Sequence, residues 1–251
     1  QNYSQEQIHE YMKYSKYVSE TQGLMIHYAE THDNSRLADK SITWAKMRTS
    51  LSALLSHNGA FGFTNGVEWF AKEKIFVHRS SGLNWGAEEN QVDHISTMTQ
   101  LLKNHPAFSD GSTFHFIQTS NNAVIAAIRF DKTKAHPLLV IINLECEKSS
   151  AVHITIKDLP ESLHGQLKSF IHNQEIHIDH NAQTFEIELA PGQSTCLGKN
   201  YEEVNLSYNS DHTLKLQLMN LFGLQGMEFI DLDFAQEIKL LKADPLLYFR
   251  I

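Results

Sequence analysis

The spacing of apolar residues changes period twice along this chain. Up to Asp110 they recur at helical intervals, broken by short continuous runs. From Gly111 they alternate, and beyond Val204 the helical interval returns. Ser4 to about Ser19 reads as a helix with Ile8, Tyr11, Met12 and Val18 on one side. Ser4 and Gln7 stand at capping-box spacing, and Gly23 ends the segment. The run Leu24–Ala29 reads as a strand, followed by a polar loop over 30–41. Ile42–Ser56 reads as an amphipathic helix with Met47, Leu51, Leu54 and Leu55 together, closed by a left-handed cap at Asn58-Gly59. Ala60–Thr64 is a second short strand, closed by Asn65-Gly66. Strand, helix and strand with short connections is the pattern of a parallel βαβ unit. A loop of about twenty residues follows, a length typical of functional or disordered loops. It holds Glu68, Trp69, Phe70, Trp85 and Gly86, and the aromatics favour order. Asn90–Lys103 reads as a further helix ended by His105-Pro106.

From Gly111 to about Lys199 the alternation predicts strands. They fall at 114–117, 124–128, 138–142, 152–156, 166–171, 176–178 and 184–189. Turn residues recur between them, which is the signal of an antiparallel sandwich. The tail predicts two helices, one ending near Phe222 and one over Asp233–Leu241. Three regions are therefore expected: 1–110, 111–199 and 200–251.

Composition narrows the function classes. The chain has 251 residues, 41% hydrophobic and 20% charged, with a net charge of −8 and a pI of about 6.0. That balance argues against a nucleic-acid surface. No apolar run is long enough for a membrane span, and the first residues do not read as a secretory leader. Cys146 and Cys196 have neither zinc nor redox spacing and fit a reducing, cytoplasmic compartment. His172, His177 and His180 surround Asp179, and His177 and Asp179 share a strand face, but no third ligand is fixed. Surface histidines of a hairpin are the heavier reading, and no metal or organic cofactor is expected. The chain starts on Gln1 and ends on an apolar Tyr248–Ile251, so it is expected to be a piece of a longer polypeptide.

The chemistry concentrates in Tyr28–Arg36, where an apolar run ends in Glu30, His32, Asp33, Asn34 and Arg36. This is how the C-terminal end of a parallel barrel strand delivers residues to a site. A carboxylate can accept from two sugar hydroxyls while the imidazole donates to a third. The other reading is a loop ion-pair network of Glu30, Asp33 and Arg36, with Asp33 or Asn34 as a helix N-cap.

Thr31-His32-Asp33-Asn34 at a strand end resembles the "NHD" region on strand seven of the α-amylase superfamily of glycoside hydrolases and glucanotransferases. Asn65-Gly66-Val67-Glu68 resembles the end of that family's strand eight. The segment from Trp85-Gly86 to His105-Pro106-Ala107-Phe108 is similar to its last barrel helix, and the sandwich ending in Leu189–Ser194 to its following β-domain. The fuller string, with Trp69-Phe70, looks most like the amylase-type module of bacterial glycogen-debranching proteins. Thr31 departs from the Asn often found there.

The resemblance implies an α/β plus all-β fold: the C-terminal βα units of a (β/α)8 (TIM) barrel followed by an antiparallel β-sandwich. It implies that Asp33 is the carboxylate that stabilises the transition state and that His32 binds a substrate hydroxyl. Arg36, Glu68, Trp69 and Trp85 are further candidate substrate contacts; the plain alternatives are pairing with Asp33 or Glu30 for Arg36, a structural role for Glu68 and loop packing for the tryptophans. The implied substrate is an α-1,4-glucan such as glycogen or a maltooligosaccharide. Retaining glycoside chemistry needs a nucleophile and an acid/base carboxylate about 5–5.5 Å apart. In the family these precede the region matched here, so this chain alone is expected to be inactive and to need the remainder of the barrel. The alternative is a non-catalytic carbohydrate-binding or scaffold module. Two parallel strands leave unpaired edges, so residues 1–110 are expected to self-associate or to pack on the sandwich.

Overall fold

The computed structural model describes residues 4–76, 78, 82–172 and 174–199, with isolated helical positions at Gln236, Lys239, Leu240 and Ala243. The tail helix predicted to end near Phe222 lies outside the described residues, as does most of the one over 233–241. Residues 1–203 form one compact unit and 204–251 a second.

Helix α1 spans Gln5–Thr21 and begins as its sequence predicts. Ser4 Oγ accepts from Gln7 N at 3.2 Å, and Ser4 N donates to Gln7 Oε1 at 3.1 Å. Strand β1 is only His27–Tyr28. The one-turn helix α2 is Leu37–Lys40, α3 is Ile42–Leu54, and β2 is Phe61–Gly62. β1 and β2 are parallel, with His27 opposite Phe61 and Tyr28 opposite Gly62. Both strands are shorter than the apolar runs predict. Among the described residues no other strand lies beside either one, so the flanking Leu24 and Ile26 have no ladder to join and stand exposed. α3 also stops before Asn58-Gly59. The left-handed residues are there, at φ 48° and 71°, but they close a 3-10 turn over His57–Gly59. Helix α4 is Val92–Asn104.

The second half is antiparallel throughout. Its strands are β3 Thr113–Ile117, β4 Val124–Phe130, β5 Leu138–Asn143, β6 Ser150–Thr155, β7 Gly165–Ser169, β8 Glu175–Ile178, β9 Thr184–Leu189 and β10 Ser194–Gly198. Six of them form a sheet in the order β3-β4-β5-β10-β7-β8, and β6 pairs with β9 in a second layer. β5 is buried at every residue because both faces of the sheet are covered. Leu138, Val140 and Ile142 join Ile8, Met12, Met47, Leu51 and Leu54 from the helices. Leu139 and Ile141 join Val152, Ile154 and Phe185 from the second layer. Period-two alternation thus splits one continuous apolar run between two cores.

Strand β10 is absent from the sequence prediction, yet it sits in the middle of the sheet between β5 and β7. Ser194-Thr195-Cys196 carries little strand signal. Its polar groups are buried and partnered, with Thr195 Oγ1 3.2 Å from Ser169 Oγ and Ser194 O 2.9 Å from His172 Nε2. The helical half packs on this sheet. Gln5 Nε2 donates to Thr119 Oγ1 and to Asn121 O, both at 3.0 Å. Arg129 of β4 is fully buried; it donates to Leu54 O at the end of α3 (2.9 Å) and to Ala107 O (3.1 Å), and stacks on Phe108. Burial pushes its pKa down to about 9.

Candidate functional site

The loop after β1 is held at both ends by charged groups taken out of water. Glu30 and Arg36 are 3% and 2% exposed, and Arg36 Nε lies 2.8 Å from Glu30 Oε1. Glu30 Oε2 accepts from Leu37 N at 2.6 Å, at the start of α2. Burial raises the Glu30 pKa, and the Leu37 N–H and Arg36 work against that rise. The span from Glu30 to Arg36 is then tied to the residues that follow the second strand. Thr64 Oγ1 donates to Glu30 O at 2.9 Å, and Arg36 Nη2 donates to Asn65 O at 2.9 Å.

This explains Asn65-Gly66. Gly66 has φ 93°, where a side chain is strained, and a Cβ there would meet Arg36 Nη2 at 2.5 Å. Its N–H is taken by Glu68 Oε2 at 2.8 Å, which fixes the turn that follows β2. Gly62 is needed for a similar reason, since a Cβ would strike the Tyr28 ring at 2.7 Å.

Between the anchors, His32 and Asp33 project into solvent. Their side chains are 57% and 82% exposed, with His32 Nε2 3.4 Å from Asp33 Oδ1. Asn34 Oδ1 accepts from Thr31 Oγ1 at 2.9 Å and Thr31 N at 3.3 Å, which tightens the tip. The local alternative is therefore half right. Glu30 and Arg36 do form the ion pair, but Asp33 stands outside it. Neither Asp33 nor Asn34 caps a helix, because the residue before α2 is Arg36 itself, without a side-chain cap.

The long loop adds an aromatic pair. Trp69 and Trp85 have ring centroids 5.4 Å apart at 43°, and Trp85 is 77% exposed. Asn84 Nδ2 donates to Trp69 O at 2.7 Å, which joins the two ends of the loop. Phe70, buried beside Ala38 and Ala45, has φ 51°, a strained conformation for a bulky residue. Gln91 Nε2, buried at the start of α4, donates to Val67 O at 2.8 Å.

The structure thus places His32 and Asp33 at an exposed loop tip and Trp69 with Trp85 on the following loop. Glu68 lies within the Gly66 turn, and the Arg36 side chain is inside the protein. Sequence reasoning passed over Thr64, Asn84 and Gln91, which hold these loops. Their signal is only that each is a side-chain donor at an element boundary.

No family profile and no curated protein matches the sequence. Solved structures do. A noncanonic maltogenic α-amylase, AmyB, from Thermotoga neapolitana superposes with a TM-score of 0.65 at 14% identity over 80% of this chain and 47% of its own. The α-amylase of Geobacillus thermoleovorans, solved with acarbose, gives 0.61 at 15% over 80% and 44%. An Anoxybacillus α-amylase gives 0.63 at 14% over 80% and 44%. The chain shares its fold with part of these α-amylases. It spans less than half their length. The antiparallel sheet and its covering layer agree with the C-terminal β-sandwich of an amylase-type fold. Among the described residues no helix is long and apolar enough to cross a membrane.

Proposed function

We propose that this chain is the C-terminal portion of an α-glucan-processing enzyme and supplies a substrate-binding His32–Asp33 pair to an active site whose other carboxylates lie elsewhere. The observation that supports this most is positional. In a fold shared with α-amylases over four-fifths of the chain, the exposed His–Asp pair follows the first of two parallel strands. In this reading β1 and β2 are the last two strands of a (β/α)8 barrel, and the regions are 1–110, 111–199 and 200–251. Asp33 accepts from sugar hydroxyls as the ring distorts toward an oxocarbenium-like state, and His32 donates to a neighbouring hydroxyl. Trp69 and Trp85 supply an apolar face for a sugar ring. Glu68 and Arg36 act as positioning residues, since Glu68 Oε2 accepts from Gly66 N while Arg36 Nε pairs with Glu30 and Arg36 Nη2 donates to Asn65 O.

The exposed Leu24, Ile26, Tyr28 and Phe63 form the face that the rest of the barrel would cover, and on which copies of this chain would associate without it. The string from Glu30 to Arg36, together with that from Asn65 to Phe70, favours a debranching or 4-α-glucanotransferase role, and two free cysteines favour the cytoplasm. Two-carboxylate chemistry calls for no metal or organic cofactor.

Titration with maltoheptaose is expected to perturb His32 in NMR spectra and tryptophan fluorescence, without turnover. Asp33→Asn should weaken this binding about tenfold. A chain unaffected at both reporters would sink the proposal. Clear glucan turnover would show that the catalytic carboxylates are here after all. The exposed Trp85 beside Trp69 also favours a second reading, a non-catalytic carbohydrate-binding module. The parent sequence separates the two. An upstream strand ending in Asp with Arg two residues before it, and a later one ending in Glu, belongs to the enzyme alone.

A further inference from the structure

A cavity of about 330 Å³ opens between α1 and α3, with β1 as its floor. It is separate from the His32–Asp33 loop, and of its lining only Tyr28 belongs to the face that the rest of the barrel would cover. One wall and the base are apolar: Ile8, Met12, Leu51 and Leu55 are buried in the core shared with the sandwich. The remaining lining includes Tyr11, Tyr28, Arg48, Ser52 and His27. His27 is 3% exposed, yet its Nε2 has no hydrogen-bond partner. A buried polar atom left in that state costs free energy and asks what completes it.

The lining contains no Asp or Glu, in a chain whose net charge is −8. Its one side-chain amide oxygen, Gln7 Oε1, already accepts from Ser4 N. The lining offers no anionic acceptor for the donors of a neutral sugar, while its hydroxyls and imidazole can each donate or accept. An anion only accepts, which matches a set of a guanidinium, an imidazole and phenol or alcohol hydroxyls. The apolar base matches a hydrocarbon body, and the volume is at the small end of ligand pockets.

We propose that this cavity binds a small amphipathic organic anion, a carboxylate or phosphate monoester, with its head between Arg48, His27 and Tyr11 and its body on Ile8, Met12, Leu51 and Leu55. The site is independent of the glucan reading and stands or falls separately. The groups facing His27 agree with it. The His57 ring centre is 5.3 Å away and that of Tyr11 is 6.0 Å away. Burial, His57 and Arg129 together hold His27 neutral, with its pKa pushed down to about 4. A bound anion would oppose all three and raise it.

The test uses the full chain with benzoate and phenyl phosphate as probes, and with benzyl alcohol and maltose as neutral comparators. Calorimetry gives affinity, and the His27 ring signals in NMR spectra report the site. Both anions are expected to bind with a Kd on the order of 1 mM or tighter, and benzyl alcohol about tenfold more weakly. The His27 titration should move upward with benzoate bound. Arg48→Gln should weaken the anions about tenfold and leave benzyl alcohol unchanged. Ser52→Phe, which fills the space without removing a core side chain, should abolish binding while thermal unfolding stays cooperative. Phenyl phosphate binding without benzoate would narrow the site to phosphate monoesters. The proposal fails if neither anion moves His27 at about 10 mM, if benzyl alcohol or maltose binds as tightly, or if Ser52→Phe binds like the parent chain.

Discussion

Between residues 113 and 198 no large hydrophobic side chain among those described is exposed, whereas residues 4–110 expose Tyr11, Tyr14, Tyr17, Leu24, Ile26, Tyr28, Phe63, Phe76 and Trp85. Polar burial divides in a similar way. Among the described residues the unpartnered buried atoms His27 Nε2, Arg36 Nη1, Trp69 Nε1 and Gln91 Oε1 lie in the helical half, against Arg129 Nη2 and His164 Nε2 in the sandwich. The left-handed non-glycine residues Asn58, Phe70 and Asn84 lie there too, against Lys134 among the described residues of the sandwich. The sandwich buries both faces of its main sheet in apolar cores. The half that presents the candidate site keeps strained loops, a buried ion pair and an uncovered face. Such features cost stability, and the shared core built on β4 and β5 offsets them. Local rule-breaking therefore marks the half that carries the candidate site, and consistency across levels marks the scaffold.

The largest expected effect tests whether the two halves are one cooperative unit. Ile141→Ala empties a fully buried site in the outer core of the sandwich and should cost about 3–4 kcal/mol. All three tryptophans, Trp44, Trp69 and Trp85, lie in the helical half. In urea, their fluorescence and the far-ultraviolet circular dichroism should therefore shift together. A fluorescence transition that stays put would show that the halves unfold separately.

Next is Arg36→Met, which leaves Glu30 buried without its partner and should cost about 3 kcal/mol. Adding Glu30→Gln should recover part of that loss. If it recovers nothing, the pair is not what pins the loop.

Acid should act on the helical half first. His27, His57, His94 and His105 each have a pKa pushed down to about 4, chiefly by burial. In the unfolded chain they take protons near pH 6.5. Between pH 6.5 and about 4 the unfolded state therefore binds more protons, and stability falls as the pH falls. The loss approaches on the order of 2 kcal/mol for each of His27 and His105, and less for the more exposed His57. Hydrogen exchange at pH 7 and pH 4.5 should show α1 and α3 losing protection before β4 and β5. The reverse order would break the comparison.

Smallest of all, Asp33→Asn should change stability by under about 0.5 kcal/mol in thermal melts, because the side chain is 82% exposed. A larger loss would mean that the loop tip carries structural weight.

Much of this architecture was legible. The capping box of α1, the helix over 42–54 and seven of the eight sandwich strands follow from periodicity and turn residues. The chemistry of Tyr28–Arg36 was legible as a cluster. Its division into a buried Glu30–Arg36 anchor and an exposed His32–Asp33 tip was not, because residue type does not say which of two carboxylates leaves water. Strand β10 was missed because small polar residues become a central strand only when β5 and β7 flank them.

By itself the sequence determined local conformation and the alternation that sends Leu138 and Leu139 to opposite faces, since helix and strand periods act within a few residues. Only the tertiary structure decided which pairs meet across distance. It brought Arg36 beside Gly66, Arg129 to the end of α3, and His27 between α1 and α3. Those contacts join residues 30 to 75 positions apart or lie between separate elements. They are set by packing and by the cost of leaving charges and donors unmatched, which no local pattern encodes.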